Sequence, residues 1–269
     1  MTKIHEPVLL KEVIESLHIK KFRKYIDATL GAGGYTKAIS EAGGKVLAMD
    51  TDESMLRIAR ATLEGSLSAT LVHGNFKDIK KIAEENNFNI VDGIVFDLGV
   101  SNVHFTDKER GFSFREPEAD LDMRLDTKSQ NVKASDLLNI LRQDQLKTMF
   151  GASLANKVID FRKTKKFEKV GDLLSLFGEK RGKLHPATKS FLALRIAVNS
   201  ELDNLEEALP QAYELLKVGG RLVVVSFNSD EDRIVKNYMH SKNFVKPSDE
   251  EVKRNPKSRS AILRVIQKI

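Results

Sequence analysis

Tyr25-Ile26-Asp27-Ala28-Thr29-Leu30-Gly31-Ala32-Gly33-Gly34-Tyr35 is a short apolar strand that breaks into three glycines and passes at once into a helical pattern. Glycine reaches positive φ without a Cβ clash and lets backbone approach a bound group. The helix that follows offers N–H groups with no intrahelical partner. Nineteen residues after Gly31 a second strand, Lys45-Val46-Leu47-Ala48-Met49, ends on Asp50. An acid at that place in an open α/β sheet accepts hydrogen bonds from ribose hydroxyls. Loop and acid together predict a nucleoside-type cofactor.

The spacing argues against two nucleotide classes. A G-x-G-x-x-G fingerprint needs its third glycine at position 36, where Thr36 stands, and no G-x-x-x-x-G-K-[ST] segment occurs. The loop and Asp50 resemble instead the first two motifs of a class I S-adenosylmethionine (AdoMet) methyltransferase.

Working outward, apolar residues from Pro7 to Leu17 recur at helical spacing and predict a helix over 6–18, with Pro7 suited to its first turn. Downstream, strands are predicted near 24–28, 45–49, 69–73 and 90–97, and helices near 35–42, 53–64 and 77–86. That alternation implies right-handed crossovers and a parallel sheet. Ligands lie outside the carboxyl ends of such strands, where the glycine loop, Asp50, the His73-Gly74-Asn75-Phe76 turn and Asp97 converge. Phe76 also suits a core and Asp50 a helix cap; their convergence favours a site.

From Phe105 to about Thr127 the pattern gives way to a long charged loop, and such loops are uncommon in compact domains unless functional. Residues 134–200 read as consecutive helices. After Gly219-Gly220 the strand signal returns over 221–227, with a helix over 230–241 and final strands at 243–246 and 261–266. The predicted fold is α/β: a Rossmann-like domain with a seven-stranded, mostly parallel sheet, formed by 1–106 and 201–269. Residues 107–200 form a loop and an inserted all-helical domain.

With 269 residues the chain supports a sizeable core, and with no cysteine it has neither disulfides nor thiolate chemistry. No dense His/Asp/Glu cluster suggests a metal. No secretory pattern opens the chain and no apolar run approaches a membrane span. The reading is a cytoplasmic protein, a mature organellar one being the alternative. The net charge is +6, and residues 156–191, with ten basic against four acidic side chains, carry an excess of that size alone. Such a segment suits a polyanion, or equally a solvated helical face.

Ordered blocks along nearly the whole chain resemble one family. They are His5-Glu6-Pro7-Val8-Leu9-Leu10, the Asp27 to Tyr35 loop, Asp97-Leu98-Gly99-Val100-Ser101-Asn102, Arg110 to Phe114 and Leu121-Asp122-Met123-Arg124. They continue with His185-Pro186-Ala187-Thr188, Leu194 to Leu202, Ser226-Phe227, Glu231 to Lys236 and Asn255 to Ser260. Together they resemble the RsmH (MraW) enzymes, which methylate the N4 amine of a cytidine in small-subunit (16S) ribosomal RNA and so tune the decoding centre. The resemblance implies AdoMet as cofactor and 16S RNA as partner, with no membrane and no metal, and leaves a homodimer open.

Position by position, it implies that Gly33, Gly34 and Tyr35 hold the methionine end, Asp50 the ribose and Phe76 the adenine face, with Asp97 and His104 completing the cofactor contacts. Asp97 and the backbone or hydroxyl around Ser101 are the candidate acceptors for the amine protons. Other amine methyltransferases carry a D/N/S-P-P-aromatic turn there, and this chain has neither proline. Phe112 and Phe114 suit stacking of a flipped base, or the core. Arg115, Arg124, His185, Lys189 and Arg195 suit phosphates or loop ordering, Asn199 orders the site, and Asn228 faces the nucleotide.

The chain departs from the pattern at Tyr35 (usually His), Asn102 (usually Ser), Ala119-Asp120 (usually Gly-Pro), Asn228 (usually His) and Asp230 (usually Leu). Two other classes remain: a methyltransferase for small molecules or proteins, and an RNA-binding assembly factor that keeps AdoMet binding without turnover.

Overall fold

The computed structural model describes residues 7–64, 68–178 and 185–269. His5 and Glu6 of the first block, and Glu179, Lys180, Arg181 and Lys183 of the basic segment, lie outside the described residues. In chain order the strands are Lys24–Asp27 (β1), Lys45–Asp50 (β2), Ala69–His73 (β3), Val91–Asp97 (β4), Leu216–Ser226 (β5) and Ile262–Gln267 (β6). They form one sheet in the order β3-β2-β1-β4-β5-β6, parallel throughout except for β6, which runs antiparallel to β5.

The helices are Leu10–Leu17 (α1), Gly34–Glu41 (α2), Glu53–Thr62 (α3), Ile79–Glu85 (α4), Asn102–Thr106 (α5), Ala134–Ile140 (α6), Gln143–Phe150 (α7), Ala152–Arg162 (α8), Val170–Leu174 (α9), Thr188–Asn199 (α10), Glu201–Leu215 (α11), Ser229–Met239 (α12) and Asp249–Arg254 (α13). The chain divides into two compact units, residues 1–100 with 202–269 and residues 101–201.

In the first unit successive strand residues point to opposite faces, and both faces are apolar, so both are covered. Ile26, Leu47, Met49, Ile94, Phe96, Leu222 and Val224 pack with residues of α4, α11 and α12. Tyr25, Val46, Ala48, Val95, Val223 and Val225 pack with residues of α1, α2 and α3. Burying each large apolar side chain stabilises the sheet by about 1.5–3 kcal/mol, and together these side chains hold the loop ends of the parallel strands side by side.

The sheet has six strands, not seven. At residues 243–246 only a single antiparallel bridge forms, Val245 with Leu263. The Arg264 guanidinium takes the carbonyls of Ser241 and Asn243, removing them from any ladder, and Pro247 has no N–H to continue one. The first helix is also shorter than its periodicity predicts. Leu9 adopts φ 55°, its N–H reaches Glu251 Oε1 at 2.8 Å, and Pro7 therefore precedes the helix. Gly219 and Gly220 fall within β5, at the register shift opposite Val91 and Gly93.

In the second unit, α6, α7 and α8 follow one another through short connections, and the charged loop before them is held by specific bonds. Arg124 forks onto Asp122 (Nε–Oδ1 2.7 Å, Nη2–Oδ2 2.8 Å) and donates to the Gln130 carbonyl at 2.6 Å. Although burial pushes the Asp122 carboxyl up, its bonds to Arg124 hold it below the usual carboxylate range. Asp120, one of the departures from the family pattern, bridges to Lys169 through backbone and by an ion pair of 2.7 Å.

Candidate cofactor and acceptor site

β1 ends at Asp27, yet the chain keeps its strand direction for three more residues, because Ala28 N–H donates to Val95 O and Leu30 N–H to Met49 O, both at 2.9 Å. It then turns through Gly31 (φ 51°) and Gly33 (φ 89°), both in the left-handed region that favours glycine. Gly34 is required for a different reason: a Cβ there would lie 2.2 Å from the Pro7 ring. The first block and the glycine loop thus pack directly on one another. No side chain caps α2, which leaves the start of the helix to a ligand's polar groups.

Three acids close adjacent strands at this end of the sheet. Asp50 accepts the Gly31 and Asp52 amides, each at 2.8 Å, and so braces the glycine loop. Asp27 is fully buried; its Oδ2 accepts the Thr36 hydroxyl at 2.7 Å and its Oδ1 the Thr29 amide at 3.2 Å. Burial pushes its carboxyl up to about 6 against the lowering effect of those donors.

Asp27 pairs in register with Val95. Asp97, two residues on, therefore points to the same face as Asp27. Its amide donates to Thr29 Oγ1 at 2.6 Å, while its Oδ1 is buried with no hydrogen-bond partner. Burial, and then the charges of Asp27 and Glu231, hold this carboxyl well above the usual range. Glu231, on α12 and 2 % exposed, accepts the Phe227 amide at 2.8 Å and the Asn228 amide at 3.3 Å.

The other predicted residues fall into distinct environments. Phe76 is half-buried and meets Phe96 edge-on, with ring centroids 5.6 Å apart. Tyr35 is buried and its hydroxyl donates to the Val8 carbonyl, so the ring is a wall of the loop and its hydroxyl is already engaged. Asn228 is the N-cap of α12, its Oδ1 accepting the amides of Asp230 and Glu231 at 3.0 Å. That is a structural use for the residue that stands where the family usually has His.

In the second unit Ser101 caps α5, accepting the Val103 amide at 3.3 Å. His104 is buried rather than a free loop histidine, and its ring lies 5.1 Å from Phe112. Phe112 is itself buried, with the Arg110 guanidinium 5.3 Å from its ring centroid. Phe114 stacks on His185 at 4.8 Å and meets Phe191 edge-on.

Arg124 is committed to Asp122, and Arg195 forks onto Glu201 with two bonds of 2.8 Å. Asn199 ties the loop to α10, accepting from the Leu125 amide and donating to the Met123 carbonyl, both at 2.8 Å. Arg124 and Asn199 order the loop, while Arg195 ties α10 to the start of α11. Arg115 and Lys189 remain exposed. Within the basic segment, Lys163, Lys165 and Lys169 pair with Asp160, Asp172 and Asp120, and Lys157 and Arg162 bind backbone carbonyls.

Sequence reasoning missed Asp27, Thr36 and Glu231. A strand-terminal acid in an apolar run was the available signal for Asp27, the same signal that marked Asp97. Glu231 stood only within the block Glu231 to Lys236, with no local pattern to single it out, because it comes from a helix two hundred residues beyond Asp27 in sequence.

A sheet of this order with one antiparallel edge strand, a glycine turn after β1 and acids ending β1, β2 and β4 is the frame of an AdoMet-dependent class I methyltransferase. The residues present fit that cofactor: the glycines leave an uncapped helix start, and Asp97 Oδ1 is a buried acceptor lacking a donor. Within the class, the chain belongs to the MraW methylase family, whose model matches residues 2–245. It is 41% identical over 285 residues to "Ribosomal RNA small subunit methyltransferase H" of Dictyoglomus thermophilum, covering 97% of this chain and 96% of that protein. It is 40% identical to the protein of the same name from Methylacidiphilum infernorum, with 98% and 94% covered. Among solved structures it aligns with a putative methyltransferase from Streptococcus mutans in complex with SAH, at 16% identity and a TM-score of 0.49, over 99% of this chain and 100% of that one.

Proposed function

We propose that this protein transfers a methyl group from AdoMet to the N4 amine of a cytidine in small-subunit (16S) ribosomal RNA, in the cytoplasm, and so adjusts the decoding centre. Asp97 carries the reading: a buried carboxyl oxygen without a donor, at the end of β4 beside the glycine turn, is an acceptor awaiting a ligand's protons.

When bound, AdoMet supplies an electrophilic methyl group on a positively charged sulfur. In this reading Gly33, Gly34 and the backbone of Tyr35 hold the methionine end, Asp50 the ribose and Phe76 the adenine, with His104 a further contact. The N4 lone pair of cytosine is delocalised into its ring, so attack needs a fixed approach and an acceptor for the amine hydrogens. Asp97 is that acceptor, and the Ser101 region the second. The 101–201 unit is the RNA-recognition module, with Arg115, Phe114, His185 and Lys189 as its contacts. Asn228 serves it through the fold of α12.

Tritiated AdoMet incubated with small subunits lacking the modification tests this. Label in 16S RNA that falls at least a hundredfold with Asp97→Asn is the expected result. Absence of label in RNA rejects the reaction, and undiminished label with Asp97→Asn rejects the acceptor.

A further inference from the structure

Three acidic side chains act on one another at the tips of β1, β4 and the start of α12, and they are not equivalent. Asp27 has a donor on each oxygen, the Thr29 amide and the Thr36 hydroxyl. Glu231 has two donors on Oε2, the amides of Phe227 and Asn228. Hydrogen bonds to a carboxylate favour its ionised form, at Asp27 against the larger effect of burial. Among the described residues no donor reaches Asp97 Oδ1, which is buried, and the charges of Asp27 and Glu231 both act on this carboxyl. Among the described residues no group of three or more His, Cys, Asp or Glu is placed to hold a metal ion.

When buried carboxyls repel one another, the proton settles on the one with the poorest hydrogen bonding. That is Asp97. Among the described residues, Tyr35 and Asp50 also act on this cluster. Tyr35 gives its hydroxyl to Val8, and its own ionisation is opposed by burial and then by Asp97 and Asp27. Asp50, behind Asp27, adds a further negative charge.

We propose that Asp27 and Glu231 are positioning residues that keep a proton on Asp97 in the free protein, and that Asp97 gives up this proton when the cationic cofactor binds, becoming an acceptor only in the loaded enzyme. The proposal rests on the AdoMet-binding reading above. AdoMet carries one net positive charge, from its sulfonium, ammonium and carboxylate groups. The demethylated product carries none. The balance is simple: the Asp97 carboxyl becomes a carboxylate, the proton passes to solvent, and the carboxylate's charge is matched by the bound cation. After transfer the sulfonium charge is gone, and Asp97 retains the proton taken from the amine.

Calorimetry of the whole protein with AdoMet and with S-adenosylhomocysteine, in buffers of different ionisation enthalpy, counts the protons. At pH 7 AdoMet is expected to release about one proton per site, and the product less than half of that. Asp97→Asn abolishes the difference between the two ligands.

Glu231→Gln is a conservative probe, because the Phe227 and Asn228 amides both go to a single oxygen that glutamine retains. It moves the pH of maximal proton release downward, a shift that loss of a helix cap does not produce. Equal proton counts for the two ligands in the unmodified protein overturn the proposal without recourse to any variant, as does a ligand difference that survives Asp97→Asn or a pH of release unmoved by Glu231→Gln. AdoMet uptake without proton release overturns it while leaving the methyltransferase reading intact. Failure of any AdoMet uptake rejects both.

Discussion

At the scale of single residues, the site buries carboxyls, and this has a signed consequence for stability. Asp97 has a folded pKa above its unfolded value of 3.8. Below that unfolded value both states are protonated. As pH rises the unfolded chain releases its proton first, so stability is lost through the window from 3.8 up to the folded pKa. Asp27 behaves likewise, with a window that closes near its folded value of about 6, where the accumulated cost is roughly 3 kcal/mol. Asp97→Asn removes one of these titrations. Its melting temperature relative to the unmodified protein is expected to rise between pH 4 and pH 8, by about 2–4 °C for each kcal/mol recovered. A thermal-unfolding series over that range measures it, and a flat or falling difference contradicts the burial argument. The same substitution removes activity, so stability and function oppose one another at this carboxyl.

At the scale of elements, α12 shows how a departure from the family pattern is absorbed. Asn228 and Glu231 bond reciprocally across the first turn, the side chain of each meeting the backbone of the other. Asn228→Ala is expected to cost about 1 kcal/mol in urea unfolding, in line with loss of an N-cap. If capping is its main service, kcat for RNA methylation stays within about twofold once the folded fraction is matched, since a lost group of that kind in the transition state costs far more. A loss of tenfold or more makes Asn228 a substrate contact. The strands and helices of the first unit were legible because each keeps one period, two or 3.6, and ends in a recognised turn. The seventh strand was not. Phe244 and Val245 have strand-like side chains, but the carbonyls before them are taken by a buried arginine far along the chain, and no local pattern reports that. For the same reason Arg124, Arg195 and Asn199 were marked as important without their work being readable. Only the structure shows that their partners are Asp122, Glu201 and the 123–125 backbone.

At the scale of the whole molecule, charge counted from sequence overstates what is available to RNA. The excess of the 156–191 segment equals that of the entire chain, which reads as a polyanion surface. Yet Lys163, Lys165 and Lys169 are each within 2.7 Å of a carboxylate, and Arg162 is spent on the carbonyls of Leu138, Asn139 and Leu141 at the end of α6. Lys166, Lys189 and Arg115, in contrast, are exposed. An ammonium that releases a counterion on meeting a phosphate steepens the salt dependence of binding; one that must first leave a carboxylate contributes little. Lys166→Ala combined with Lys189→Ala is therefore expected to weaken RNA binding and to reduce the slope of log affinity against log salt by about 1–2. Lys165→Ala, which removes only the ion-pair partner of Asp172, is expected to leave that slope within about 0.5 and to change stability little, because the lysine end of the pair is exposed. Filter binding to small-subunit RNA at four or more salt concentrations separates the two. Equal slopes for all three proteins mean that the second unit meets RNA through groups other than these lysines. A larger change with Lys165→Ala means that its ion pair opens on binding, and that the basic segment acts as a whole after all.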